Sequence, residues 1–126
     1  MYITTWGNTN PKTSELQYHS YALVNYLRQF IEAVLKYTGA ESIDVISHSM
    51  GVTLARKAIK GGNMTDQFKQ YTLGDSLGPK VHSFIGIGGA NYGMEKCEVM
   101  YLVPVCGKVD GLYPGNVTLT PPPVYS

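Results

Sequence analysis

The chain has almost no charge of one sign in excess. Ten lysines and arginines stand against nine aspartates and glutamates, a formal net charge of +1. A balance that even gives no electrostatic footprint for nucleic acid or for an acidic surface. No stretch approaches the roughly 18 consecutive apolar residues of a membrane span. The opening Met1-Tyr-Ile-Thr-Thr-Trp6 lacks the charged start and apolar run of a signal peptide. Histidine is scarce: His19, His48 and His82 are the only three. Cysteine is scarcer still, with Cys97 and Cys106 alone. In a secreted protein such a pair closes a short loop; otherwise the two are reduced, buried thiols.

What is present suits one compact, loop-rich domain. The 126 residues are enough for a real core, and ten tyrosines and fourteen glycines are spread along them. Two N-x-S/T sequons, at Asn63 and Asn116, join the cysteine pair in pointing to an extracellular, glycosylated protein.

The stretch that carries most chemistry is Ser42-Ile-Asp-Val-Ile-Ser47-His48-Ser49-Met50-Gly51, followed by Val-Thr-Leu-Ala-Arg-Lys-Ala-Ile. Ile43, Val45 and Ile46 make a short β-branched strand. A tight turn at Ser49 and a helix stopping at Gly61-Gly62 follow. A serine at the apex of a strand–turn–helix is how a nucleophile is presented at a sheet's end, in the pattern G-x-S-x-G. Small residues are needed on both sides, because strand and helix backbones approach closely there. Ser47 and Gly51 fill those places, with serine standing where the first glycine usually is. The pentapeptide alone is weak; the strand and helix around it give it weight.

The rest of the chain reads as alternating elements. Residues 2–6 suggest a strand, followed by turn chemistry in Gly7-Asn-Thr-Asn-Pro11. Ser14 and Gln17 resemble a capping box opening a long helix. Leu23, Leu27, Phe30, Ile31, Val34 and Leu35 form its buried face, Glu32 and Lys36 pair outside, and Gly39 ends it. Residues 63–80 read as a surface connection with a short helical piece. Val81 to Ile87 is a third apolar strand, leading into the glycine-rich loop 88–93. Such alternation implies parallel strands with right-handed crossovers, and ligands beyond the strand C-termini. The expected fold is therefore α/β, with residues 1–93 as a core of three strands with flanking helices and 94–126 as a loop-rich cap or tail. In that last segment Met94, Met100, Tyr101, Leu102, Val103 and Val105 either line an acyl-chain groove or pack into the core. Exposed on a disulfide-stapled loop, they suit transient contact with a lipid surface.

Tyr2-Ile-Thr-Thr-Trp-Gly, Tyr37-Thr-Gly-Ala, Asp44-Val-Ile-Ser-His-Ser-Met-Gly, Arg56-Lys-Ala-Ile-Lys-Gly-Gly and Gly89-Ala-Asn-Tyr-Gly resemble the class 2 lipases. The likeness is to their nematode branch, which is similar to small bacterial triacylglycerol lipases. The resemblance implies a partial parallel-sheet α/β-hydrolase core. It implies a secreted hydrolase of acylglycerols, without metal or other cofactor. It implies an acyl-enzyme on Ser49, with the Met50 backbone N–H as one oxyanion donor.

Two departures stand out. The family order is serine, acid, histidine, yet after Ser49 the only histidine is His82, inside the third strand. Asp110 is a weak nominee for the acid; His48, and His19 on the long helix, are expected to be structural. The family's oxyanion loop follows a strand lying upstream of residues 2–6, and that strand sits in the sheet between 2–6 and 43–47. The chain is expected to be the middle of a lipase, as a fragment, a truncated product or a degenerate copy. Alone it is expected to lack appreciable activity. A lipase-like binding domain that kept the turn and lost the triad is the alternative, as is another serine hydrolase or acyltransferase such as a thioesterase.

Overall fold

A computed structural model of the chain describes residues 1–7 and 10–114, so the sequon at Asn116 lies outside the described residues. Helix α1 (Tyr21–Thr38) leads into strand β1 (Ile43–His48) and helix α2 (Met50–Lys60). A hairpin of β2 (Asn63–Thr65) and β3 (Gln70–Thr72) precedes strand β4 (Val81–Ile87). β1 and β4 pair in parallel, with Val45 beside Phe84, Ile46 beside Ile85 and His48 beside Ile87. α1 packs on α2, and α2 packs on both strands. The opposite face of the sheet shows Ile46, Ile85 and Ile87 to solvent.

Helix α1 starts later than the Ser14–Gln17 pattern suggests. Pro11–Leu16 is a separate 3₁₀ turn capped by Asn10, whose side chain accepts from the Lys12 N–H. The true N-cap is Ser20, whose Oγ accepts from the Leu23 N–H at 3.3 Å. Val24, Leu27 and Ile31 are its buried apolar residues, and Gly39 closes it at φ 66°, a left-handed position natural to glycine. Glu32 pairs with Arg28 at 3.1 Å, one turn back, instead of with Lys36. Arg28 is buried, and its Nη1 also donates to the Ala58 carbonyl of α2 at 3.2 Å.

Residues 2–6 are not a strand. A strand needs a ladder partner, and among the described residues nothing pairs with this segment. It lies against α1, with Thr4 Oγ1 2.6 Å from Tyr26 Oη and Tyr2 edge-on to Tyr37. The surface connection expected over 63–80 is the β2–β3 hairpin followed by a 3₁₀ turn at Gly78–Lys80. Asp66 makes the hairpin turn: its Oδ1 accepts from the N–H groups of Phe68 and Lys69.

The core joins Val24 and Leu27 of α1, Met50, Leu54 and Ala58 of α2, Met64, Leu73 and Leu112. Cys97 and Cys106 belong to it, bridged by a disulfide and almost fully buried. A bridge of this kind contributes about 2–4 kcal/mol. Of the six apolar residues considered for a groove, Val103 and Val105 pack against this core, whereas Met94, Met100, Tyr101 and Leu102 are exposed.

Candidate active site

Ser49 sits between the last residue of β1 and the first of α2, at φ 54° and ψ −132°. Among the described residues it is the only non-glycine with positive φ. Such a conformation costs an L-residue roughly 1–3 kcal/mol and persists only when the surroundings enforce it. Two hydrogen bonds do so. The Ser49 N–H donates to the Ile87 carbonyl at the end of β4 (2.8 Å), and the Ser49 carbonyl accepts from the Val52 N–H (3.0 Å). A serine at this helix position normally turns its hydroxyl onto the helix N–H groups. Here the side chain makes no capping bond, and the residue is exposed. Ser49 therefore stands exposed at the C-terminal edge of the sheet, directly before the start of α2. There the first N–H groups, that of Met50 included, have no intrahelical partner.

The small residues around the turn have identifiable neighbours. A Cβ on Gly51 would lie 3.2 Å from Nε1 of Trp6, so the indole borders the turn. A Cβ on Gly89 would lie 2.7 Å from Cγ1 of Val52, so the loop after β4 runs tightly against α2. The glycine-rich loop and Ser49 share one edge of the sheet, as the strand order requires.

The histidines are elsewhere. His82 lies near the start of β4, where its Nδ1 is 3.0 Å from Asp44 Oδ1 and 3.1 Å from Ser83 Oγ. Five residues of strand, about 16 Å at strand rise, separate it from the Ile87 carbonyl that binds Ser49. His48 is exposed at the end of β1. His19 precedes α1 instead of lying on it, and it is 1% exposed. Its backbone N–H and its ring Nδ1 both meet the Asp110 carbonyl, at 2.6 and 3.0 Å, while Nε2 hydrogen-bonds Thr53 Oγ1. Burial pushes the His19 pKa from 6.5 down to about 4, against the opposing pull of the Asp110 carbonyl. The ring is therefore neutral at neutral pH. Because a carbonyl only accepts, Nδ1 carries the proton and Nε2 accepts from the Thr53 hydroxyl. The single Thr53 proton is shared between that nitrogen and the Met50 carbonyl, 2.8 Å from Oγ1, so this network braces the first turn of α2 from behind. Among the described residues no histidine is hydrogen-bonded to Ser49.

Asp110 does not serve as the orienting acid of a triad among these residues. Its carbonyl holds His19, and its carboxylate accepts from the Gln67 N–H at 3.1 Å. Burial raises its pKa, the Gln67 N–H opposes that, and the charge of Asp66 adds to the rise. The sequence reading missed the His19–Thr53–Asp110 network, whose members are 34 and 91 positions from His19. The sequon residue Asn63 is exposed on β2, its Oδ1 accepting from Thr72 Oγ1. No group of three or more His, Cys, Asp or Glu among the described residues is arranged to hold a metal ion. No described helix is long and apolar enough to cross a membrane.

The model of a family described as Lipase (class 2) matches residues 1–120, and the chain belongs to that family. No curated protein matches it. Membership makes this a lipase- or esterase-type hydrolase by family, with a lipid or other ester as its class of substrate.

Proposed function

We propose that a family member built this way hydrolyses acylglycerol esters through an acyl-enzyme on Ser49. The observation that carries the reading is the strained, exposed Ser49 whose hydroxyl is withheld from helix capping. The hydroxyl oxygen attacks the ester carbonyl carbon, and its proton passes to a base. The carbonyl oxygen becomes an oxyanion, which accepts a hydrogen bond from the Met50 N–H. Collapse of this intermediate expels the alcohol, and water repeats the sequence on the acyl-enzyme to release the acid. The enforced backbone at Ser49 fixes the direction of its Cα–Cβ bond before substrate arrives. Secretion is part of the proposal, supported by the buried Cys97–Cys106 disulfide and the exposed sequon at Asn63.

One observation favours a second reading. No described histidine reaches Ser49, which suits a lipase-like binding domain that retains the turn without turnover. Treatment with a fluorophosphonate probe separates the two. Labelling of the wild-type protein that is lost in Ser49→Ala is the expected outcome. A folded protein that takes no label supports the binding domain, and label persisting in Ser49→Ala overturns the assignment of the nucleophile.

A further inference from the structure

Helix α2 packs on one face of the β1–β4 sheet, and the other face is open to solvent. Parallel sheets occur almost only with both faces covered. Side chains alternate along β1, so Ile43, Val45 and Ser47 point one way and the exposed Asp44, Ile46 and His48 the other. The Ser47 side is the one that meets the helix. Gly86 is its register partner, and a Cβ there would lie 2.8 Å from Cγ1 of Val52 in α2. On the open side, Ser83, Ile85 and Ile87 of β4 stand beside Asp44, Ile46 and His48. Ile46, Ile85 and Ile87 are 67%, 51% and 53% exposed. One exposed isoleucine is ordinary, but three at neighbouring register positions form the kind of patch at which proteins associate. The two ends of β1 are polar. At its start the Asp44 side chain is 63% exposed, with Oδ1 on His82. A carboxylate has about four lone-pair sites, so that bond does not exhaust it. At its finish the His48 ring is exposed and has no hydrogen-bond partner among the described residues.

A face with an apolar middle, an acceptor at one end and a donor at the other is complementary to its own reverse. We propose that the open sheet face docks on the same face of a second copy of this chain, about a two-fold axis that runs across the strands at Ile46 and Ile85. Rotation about that axis reverses the strand direction and lays each strand over its own counterpart. Ile46 and Ile85 then meet their equivalents at the centre. Positions 44 and 48 are equidistant from 46, so Asp44 faces His48 of the second copy at one end and the reverse holds at the other. An imidazole offers an N–H to a carboxylate in either protonation state. A two-fold axis along the strands would instead set Asp44 over Ser83 and press His48 onto Ile87. The reversed arrangement is isologous, one patch used twice, as in most two-fold dimers. Two strands about 20 Å long make a small patch, below the roughly 800 Å² per partner of a standard interface. The dimer is therefore weak, forming at about 100 μM and above. It does not rest on turnover at Ser49.

The test is sedimentation of the 126-residue chain from about 10 μM to about 1 mM, a range that spans the expected dissociation constant. Amide chemical shifts of the ¹⁵N-labelled protein are followed over the same range. A monomer–dimer equilibrium is expected, with the concentration-dependent shifts centred on residues 44–48 and 83–87. Ile46→Asp, at an exposed position, should weaken the dimer at least about tenfold by setting two carboxylates together on the axis. His48→Asp and Asp44→Lys should each weaken it about tenfold, because a two-fold dimer carries every substitution at both ends. The double variant Asp44→Lys/His48→Asp should return to within about threefold of wild type, since it reverses both pairs. Within one copy the two positions are four residues of strand apart, about 13 Å, too far to pair directly. Restoration therefore reports a contact between copies. A chain that stays monomeric at about 1 mM overturns the proposal. So does a dimer whose shifts centre on another surface, one that Ile46→Asp leaves intact, or a double variant no tighter than the weaker single. The shifts of the wild-type protein decide even if a variant fails to fold.

Discussion

Acid should loosen this fold through one imidazole. His19 is buried and neutral, with its pKa lowered from 6.5 to about 4. Between those values the unfolded chain binds a proton that the folded one refuses, so stability rises with pH across the window. His19 therefore contributes fully above pH 6.5, and its contribution is lost as the pH falls toward 4. The difference, at about 1.4 kcal/mol for each factor of ten, amounts to about 3 kcal/mol. That is a large share of a small domain's total of about 5–15 kcal/mol. Asp110 works the other way: its pKa is raised by burial, so it takes up a proton early and gives back some stability at the acid end. The assay is urea unfolding from pH 7.5 to 4.5, for wild type, His19→Asn and Asp110→Asn. Asparagine at position 19 keeps a donor for the Asp110 carbonyl and does not titrate. Asparagine at 110 keeps the carbonyl and removes the second titration. His19→Asn should be less stable at pH 7.5 but should lose much less than wild type on acidification. Asp110→Asn should keep the wild-type fall and steepen it at the acid end. Parallel profiles for wild type and His19→Asn, or an NMR titration placing His19 near 6.5, would refute the reasoning.

Two further predictions concern the turn. Ser49→Gly should be more stable than Ser49→Ala by about 1–3 kcal/mol, because glycine adopts φ 54° without the Cβ strain; thermal denaturation checks this, and equal midpoints would show that the turn is unstrained. Gly89→Ala should destabilise by about 1–3 kcal/mol through the approach of its Cβ to Val52; combined with Val52→Ala the loss should be less than the sum of the two singles, and strict additivity would show that they do not touch.

The parts of the fold legible in the sequence are those whose cause is local. Ile43–His48, Met50–Lys60 and Val81–Ile87 lie where the apolar runs and glycine stops put them, because each pattern and its terminator sit within a dozen residues. The start of α1 is ambiguous in the sequence for an equally local reason: Ser14 and Ser20 both have the side chain of a cap, and only packing selects Ser20. His19 must reach the Asp110 carbonyl, which keeps the chain extended up to Ser20. Residues 2–6 fail differently. Their β-branched composition permits a strand, yet composition supplies no partner, and the segment settles on α1.

The candidate site divides along the same line. Ser49, its small neighbours and the exposed start of α2 are consecutive, so the sequence displays them together. A base for Ser49 is a long-range requirement, and a histidine's presence says nothing of its place. His82 illustrates this: it follows Ser49 in the chain and pairs with a carboxylate, as a catalytic histidine would. The parallel register nevertheless puts it beside Asp44 at the start of the strands, while Ser49 is bound at their end. Two parallel strands carry a chain in one direction, so residues at the start of one never meet the turn at the end of the other. Register therefore separates His82 from Ser49 whatever rotamer the ring takes. The Asp44–His82–Ser83 cluster, for all its likeness in composition to a triad, belongs to the start of the strands and not to the turn.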